Sequence, residues 1–252
     1  MKKAFLFVIL AFVSLFCYAQ DELPTVVPDR PGNTWDTEVT PYHKLIWDNG
    51  LGFESSPNGA QTITLNTTIL RYGIFKNMEL RVGTDFVMYK DSEAMKPTFG
   101  INPLIIGTKL KVYDGSGILP SICLLAELAS PHIGSKDLLP SHLAPSMYLL
   151  FEHTVTDWLG ICYNVGEQWD GESATPTTFL AFSLNFSFNE KVGAFVETYN
   201  YIHPEDENQY KTEIGFTWLV SRRVQLDIEG DLDLMNLGKY YSVGCGISWL
   251  IN

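Results

Sequence analysis

The stretch Arg223–Leu234 reads RVQLDIEGDLDL and alternates polar and apolar residues without a break. Its odd positions carry Arg, Gln, Asp, Glu, Asp and Asp, whereas its even positions carry Val, Leu, Ile, Gly, Leu and Leu. Because successive side chains of a β-strand point to opposite faces, this segment would have one apolar and one charged face. A soluble sandwich would bury the apolar face, whereas a transmembrane barrel would turn it to lipid and enclose the charges.

Segments with this alternation recur from residue 43 to the C-terminus and are joined by connections of alternating length. Short turns, such as 75–77 and 156–157, alternate with mostly longer loops, such as 90–98 and 130–141. Bacterial outer-membrane barrels have short periplasmic turns and longer outer loops, whereas a sandwich has no reason to sort its loops this way. We therefore predict an all-β fold, an antiparallel transmembrane barrel of about twelve strands over residues 43–252. A secreted soluble β-protein is the alternative. The predicted strands are 43–54, 61–73, 78–89, 99–113, 118–129, 142–155, 158–169, 176–188, 192–202, 209–220, 223–233 and 239–250.

Charged residues fall on one parity of most predicted strands. Leu80 and Val82 share one face, while Glu79 and Arg81 share the other. A Lys or Arg on the lipid face near the midplane costs about 2–4 kcal/mol, so we assign the charged parity to the interior. Arg71 is the exception, because its parity matches Ile63, Leu65 and Ile69. We expect it to point to lipid and to reach the headgroups from a position near a turn.

Aromatic residues concentrate near the predicted strand ends, as in the interfacial girdles of membrane barrels. Ordinary core aromatics are the alternative interpretation. The last strand, Tyr241–Trp249, is amphipathic and has an aromatic near its end, which resembles the recognition signal for barrel insertion. We therefore expect outer-membrane lipid and the barrel-insertion machinery as partners, and the bacterial outer membrane as the location.

The N-terminal 42 residues divide into two segments of different composition. Residues 1–19 combine Lys2 and Lys3, an apolar run over 4–16 and a small-x-small site at 17–19, as in a cleaved signal peptide for Sec export. Residues 20–42 contain Pro24, Pro28, Pro31 and Pro41, which break strand pairing. We predict an extended periplasmic segment there, tucked into the mouth of the barrel.

Charge and cysteine content exclude several functions. The chain has 17 Lys and Arg against 29 Asp and Glu, a net charge of −12, which argues against nucleic acid as a partner. Cys123, Cys162 and Cys245 lie inside predicted strands without a CxxC spacing. We interpret them as small apolar fillers and predict neither a cofactor nor a metal.

Short motifs carry a family resemblance. Asp29–Thr34 reads DRPGNT before the first strand, Leu70–Gly73 reads LRYG, Met78–Gly83 reads MELRVG, and Ile106–Lys109 reads IGTK. This pattern resembles the outer-membrane transporter family labelled "MetA pathway of phenol degradation", over roughly residues 29–252. The resemblance implies an outer-membrane barrel with a transport role, and the phenol label is not carried over as a substrate. The chain departs from the family pattern at Gly100–Pro103, where a Gly-Asp turn is expected.

Inward charges from many strands form the candidate functional constellation. Closed into a barrel, they would line an acidic conduit that favours small polar or cationic solutes. The alternative is a non-conducting barrel, knitted by ion pairs, with a structural role or with loops that bind a partner. The predicted lumen-lining residues are Arg81, Asp85, Lys109, Glu127, Glu152, Glu197, Lys211, Glu213, Asp227, Glu229 and Asp231.

Metal binding and catalysis have weaker support. Carboxylates at 227, 229, 231 and 233 are spaced about 6.5–7 Å apart along a strand, too far to share one calcium ion. His132, Asp137 and His142 share one loop, but their spacing matches no known metal site. The nearest trio for a barrel lipid enzyme is His153, Asp157 and Ser146, and the parity of His153 turns it toward lipid. We therefore predict that the protein is not an enzyme.

Overall fold

The computed structural model describes residues 24–93, 96–204 and 206–251. The predicted signal peptide, residues 1–19, lies outside the described residues. Within them, no helix is long and apolar enough to cross a membrane. One short 3-10 helix, Lys136–Leu138, lies in the connection that follows the sixth strand.

Thirteen strands account for most of the described chain. Strands such as Met78–Lys90, Val192–Ile202 and Gln209–Ser221 alternate more exposed and more buried residues, as the wall of a barrel requires. The strands are β1 (Leu45–Ser55), β2 (Gln61–Phe75), β3 (Met78–Lys90), β4 (Thr98–Ile101), β5 (Ile105–Tyr113), β6 (Ser121–Ala129), β7 (Ala144–Thr156), β8 (Leu159–Gln168), β9 (Thr177–Ser187), β10 (Val192–Ile202), β11 (Gln209–Ser221), β12 (Val224–Asp233) and β13 (Tyr241–Leu250).

The sheet closes on itself into a barrel. Successive strands pair antiparallel, and β13 returns to pair with β1, with Trp47 opposite Trp249. Both β4 and β5 pair with β3, so they are two pieces of one wall strand. The wall therefore has twelve strands, which confirms the predicted fold class.

The interruption between β4 and β5 falls at Asn102–Leu104. Pro103 has no N–H to donate to a strand ladder, so pairing stops there. Asn102 keeps its backbone bond to Asp85, and its side-chain amide donates to the Asp85 carboxylate at 3.0 Å. The loop after β6 covers this region, because Ser135 bonds Ile101 through both backbone and side chain.

The connections sort by length to opposite ends of the barrel. We call the end with the short connections, such as those at residues 76–77 and 222–223, the turn end. We call the other end, which carries connections such as 130–143 and 203–208, the loop end. This sorting matches the prediction except at residues 114–120, a connection at the turn end that is longer than the loop-end connection at residues 56–60.

The apolar parity faces outward, as predicted. Leu80 and Val82 are 42% and 41% exposed, whereas Glu79 and Arg81 on the same strand are buried. The same division holds in β10, where Val196 is exposed and Phe195 and Glu197 are buried.

The prediction for Arg71 is wrong, and a β-bulge explains why. Arg71 has no exposed surface and lies inside the barrel. The β2–β3 register shifts between Thr64 and Asn66, so Leu65 is an extra residue in β2. One extra residue exchanges the two faces of every position that follows it. Counting alternate positions from Ile63 therefore assigns Arg71 to the outer face, although its side chain points into the barrel.

Replacing Ile228 by Lys will impair assembly in lipid. Ile228 lies in the middle of β12 and is 58% exposed on the apolar face, so the ammonium would enter hydrocarbon. We expect a loss of about 2–4 kcal/mol in folding free energy, measured by urea titration in lipid vesicles. The control is Ile118→Lys in a turn, where Ile118 is 90% exposed and the expected change is about 0.5 kcal/mol or less. Equal losses in both variants would show that β12 does not face lipid.

Candidate functional site

Residues 24–44 form a loop inside the barrel, which we call the plug. The plug enters at the turn end, where the Val26 amide donates to the Arg222 carbonyl at 2.8 Å. It returns there as well, because the His43 amide donates to the Gly73 carbonyl at 2.8 Å. Wall side chains from opposite sides of the barrel contact it, including β3, β7 and β10, so it occupies the lumen.

A cluster of ion pairs holds the first part of the plug against β2, β3 and β5. Asp29 pairs with Arg71 at 3.3 Å and Lys109 at 3.2 Å, and it also pairs with Arg81. Burial alone would raise the pKa of Asp29, but the three cations hold that pKa well below its usual range. Arg71 also pairs with Asp48 at 3.2 Å and Glu79 at 3.0 Å. The guanidinium therefore joins the plug to two wall carboxylates.

Arg30 holds the plug against the neighbouring part of the wall, formed by β12, β13 and β1. It pairs with Asp227 at 3.0 Å and Glu229 at 3.3 Å in β12. A Cβ added at Gly50 or Gly246 would overlap the Arg30 guanidinium, so these two wall glycines leave the space that it fills. The wall of the barrel is shaped around this side chain.

Backbone amides at the apex of the plug donate to wall carboxylates. The Gly32 amide donates to Glu229 at 2.9 Å, and those of Asn33 and Thr34 donate to Glu197 at 2.7 and 3.0 Å. The Asn33 side-chain amide donates to Glu213 at 2.8 Å. Gly32 has a φ of +93° and a Cβ there would crowd Glu197, so glycine suits this position on both counts. Inward carboxylates thus serve as acceptors for plug N–H groups.

Trp35 anchors the apex among aromatic side chains. Its backbone exchanges two hydrogen bonds with the Asn164 amide, at 2.8 and 2.9 Å. Its ring lies 4.9 Å from that of Tyr148 and 5.8 Å from that of Phe179. Cys123 is buried in the same apolar cluster, in agreement with its predicted role as a filler.

The returning arm of the plug is held by carboxylates of β7 and β3. Thr37 donates to Glu152 through its amide and its hydroxyl, at 3.0 and 2.7 Å. Thr40 does the same to Glu79, at 2.6 and 2.7 Å. Asp36 pairs with Lys109 at 3.0 Å, with 31% of its side chain exposed to an internal cavity. Burial within the barrel, aided by Glu152 and Asp29, raises the pKa of Asp36 to about 6 despite Lys109.

Four of the eleven predicted lumen-lining residues bond other residues of the wall, and the other seven contact the plug. Asp85 bonds Asn102, Glu127 pairs with Arg81 at 3.0 Å, Lys211 bonds Tyr240, and Asp231 accepts from Tyr199. The others contact the plug: Arg81, Lys109, Glu152, Glu197, Glu213, Asp227 and Glu229.

Sequence reasoning missed several members of this constellation. Asp48 shares the inward parity of β1 and could have been found from it, whereas Glu79 was assigned to the interior face but not included among the predicted lumen-lining residues. Asp29 and Arg30 stand in the DRPGNT motif, and only their position in the lumen shows what they bind. Arg71 was assigned to the wrong face by the unseen bulge.

Cavities lie on both sides of the plug. At the turn end, one of about 350 Å³ is lined by Asp29, Asp36 and Glu152. At the loop end, cavities of about 370 and 400 Å³ meet at Gln209 and Lys211. The cavities at the two ends share no lining residue, because the plug lies between them.

The residues considered for metal binding and for catalysis do not come together in the described part of the chain. No group of three or more His, Cys, Asp or Glu side chains could hold a metal ion among residues 24–93, 96–204 and 206–251. His153 lies on the outer face and bonds the Tyr163 hydroxyl at 3.3 Å. Ser146 is near the loop end of β7 and Asp157 follows its turn end, so this trio does not meet.

The closed twelve-strand barrel with an apolar outer face defines a porin-like protein of the bacterial outer membrane. A family model described as "Putative MetA-pathway of phenol degradation" matches residues 28–251. The chain belongs to this family, as the sequence motifs indicated. No curated protein matches the chain.

Solved structures of outer-membrane channels share the fold. An outer membrane channel from Pseudomonas putida F1 has a TM-score of 0.66 and 13% identity, covering 88% of this chain and 99% of that one. The KdgM porin in complex with disordered oligogalacturonate has a TM-score of 0.58 and 11% identity, covering 82% and 99%. The NanC porin has a TM-score of 0.51 and 10% identity, covering 81% and 98%. At these identities the likeness concerns the fold.

Proposed function

We propose that the barrel is a channel for small polar or cationic solutes, and that the plug closes its lumen at rest. The observation that carries this proposal is the plug itself, which is held mainly by ion pairs and by amide–carboxylate hydrogen bonds. A hydrogen bond to a charged group contributes about 1.5–3 kcal/mol, and the net contribution of a buried ion pair is limited because water hydrates both charges once they separate. A segment held in this way can be released into water at a lower cost than one held by a large apolar interface.

The charge of the wall supports cations as the favoured ions. Glu197 and Glu213 accept N–H groups of the plug, and Asp227 and Glu229 pair with Arg30 of the plug. Once the plug moves, these four carboxylates would face water along one side of the lumen. Rings or rows of carboxylates favour cations in a pore.

The family and the neighbouring structures support the channel class. The Pseudomonas putida protein is described as an outer membrane channel, and KdgM and NanC as porins. The oligogalacturonate bound to KdgM is not carried over to this chain, because only 11% of the aligned residues are identical. We propose further that the barrel-insertion machinery recognises the amphipathic last strand, β13.

A non-conducting barrel is the second candidate, and the ion-pair cluster around Arg71 favours it. Arg71, Glu79 and Asp48 have fully buried side chains. Such a cluster could hold the plug permanently, leaving the outer loops to bind a partner. A measurement of conductance distinguishes the channel from the non-conducting barrel.

The test is the ion selectivity of the purified protein in planar bilayers across a salt gradient. We expect stepwise currents whose reversal potential shows a preference for K⁺ over Cl⁻ of about three- to tenfold. The double variant Glu213→Gln, Glu229→Gln should lose most of this preference, since it removes two lumen charges. The control is Glu190→Gln in an exposed turn, which should keep the preference. Absence of current from both the intact protein and a protein without the plug would favour the non-conducting barrel.

A further inference from the structure

Three tyrosine rings surround the Lys211 ammonium above the apex of the plug. The Nζ atom lies 4.0 Å from the ring centroid of Tyr240, and 5.8 and 5.9 Å from those of Tyr199 and Tyr201. It also donates to the Tyr240 hydroxyl at 2.8 Å. All three distances are within the range over which aromatic faces attract cations, so these rings form a cation-binding cage.

Two carboxylates lie beside the cage, and each has an oxygen without a partner. Asp231 accepts from the Tyr199 hydroxyl at 2.7 Å through one oxygen, and Glu213 accepts from Asn33 of the plug. Their other oxygens, Asp231 Oδ1 and Glu213 Oε1, are buried without a hydrogen-bond partner among the described residues. Glu213 and Asp231 are directly opposite each other in the β11–β12 register. Each of these two oxygens can therefore accept a hydrogen bond from a polar group of a bound solute.

The cage opens to the loop end. Lys211 lines both cavities there, of about 370 and 400 Å³, so a small solute can approach its ammonium. Glu54 and Glu207 line the first of these cavities. The carboxylates of Glu54 and Glu207 could form ion pairs with the Lys211 ammonium if it left the cage. The four-carbon stem of Lys has several rotatable bonds and allows such a movement.

We propose that the cage of Tyr199, Tyr201 and Tyr240 is a binding site for organic ammonium solutes, and that Lys211 occupies it as a tethered competitor. The incoming ammonium displaces the Lys211 side chain toward Glu54 and Glu207 and takes its place over the three rings. The carboxylates Glu213 and Asp231 then face it at the next level toward the plug. This inference rests on the proposed function and specifies its solute class.

The test compares choline with its uncharged carbon isostere, 3,3-dimethylbutan-1-ol, by calorimetric titration of the detergent-solubilised protein. Lys211→Met removes the tethered charge and keeps most of the side-chain volume. We expect this variant to bind choline at least about tenfold more tightly than the unmodified protein. In that background, Tyr240→Leu should weaken choline binding about tenfold or more, because it removes the ring nearest the ammonium. The isostere should bind neither variant measurably.

Lys239→Met is the matched control, because Lys239 is an exposed loop lysine one residue before Tyr240. It should leave choline binding unchanged. Equal binding of choline and the isostere would show an apolar cavity and overturn the proposal, as would unchanged choline affinity in Lys211→Met. The calorimetric titration measures choline binding in detergent and does not depend on whether the barrel conducts ions. A channel that binds choline without conducting would therefore overturn the proposed function alone, and one that conducts without binding choline would overturn only the cage.

Discussion

Removal of residues 24–40 should raise the single-channel conductance by about tenfold or more. The plug contacts opposite walls of the barrel, through Glu79 of β3 on one side and Glu197 of β10 on the other. A twelve-strand barrel is wider than an eight-strand one, whose interior side chains suffice to fill it. Without the plug, water would therefore fill the centre and hydrate the wall charges. The measurement is conductance in planar bilayers at fixed salt.

A synthetic peptide with the sequence of residues 24–40 provides the control. Added from the turn side, it should block the deleted channel, because its amides and Arg30 can bind the same carboxylates. A peptide of the same composition in scrambled order should not block. A deleted protein that folds, as shown by heat-modifiable gel migration, but has unchanged conductance would contradict closure by the plug.

Replacing Arg71 by Met should destabilise the folded barrel by about 3–5 kcal/mol, the usual cost of removing one partner from a buried ion pair. Arg71 is fully buried and pairs with Asp29, Asp48 and Glu79, whose side chains are at most 2% exposed. After the substitution these carboxylates would lose their shared cation in an environment that hydrates them poorly. The measurement is the free energy of unfolding by urea in lipid vesicles.

Lys111→Met is the matched control for Arg71→Met. Lys111 pairs with Glu38 of the plug at 2.8 Å, but 51% of the Glu38 side chain is exposed. Exposed pairs contribute about 1 kcal/mol or less, so the loss should be correspondingly small. Equal small losses in both variants would mean that water reaches the Arg71 cluster.

Most of the barrel could be predicted from the sequence because its rules are local. The alternation in Arg223–Leu234 identifies β12 and assigns its faces, and the lengths of most connections separate the two ends. The same counting failed at Arg71, because the extra residue at Leu65 leaves no mark in the apolar–polar pattern. It also missed the break at Pro103, where β4 and β5 read as one strand.

The wall residues of the candidate site could be predicted from the sequence, but the position of the plug between them could not. Inward parity placed carboxylates such as Glu197 and Glu229 on the charged face, and the prediction of an acidic lumen rests on that assignment. The proline-rich composition of residues 20–42 indicated an extended segment near the barrel mouth. It could not show that this segment extends to Trp35 among the rings of Tyr148 and Phe179.

The sequence by itself determined the class of fold and the membrane-facing surface. These properties depend on a two-residue period that each strand displays alone. The tertiary structure alone decided which group each interior charge binds. Asn33 and Glu197, for example, are 164 positions apart and meet only after the barrel closes around the plug. Partner choice across such a separation depends on the register, the bulges and the shape of the whole wall, which no local pattern encodes.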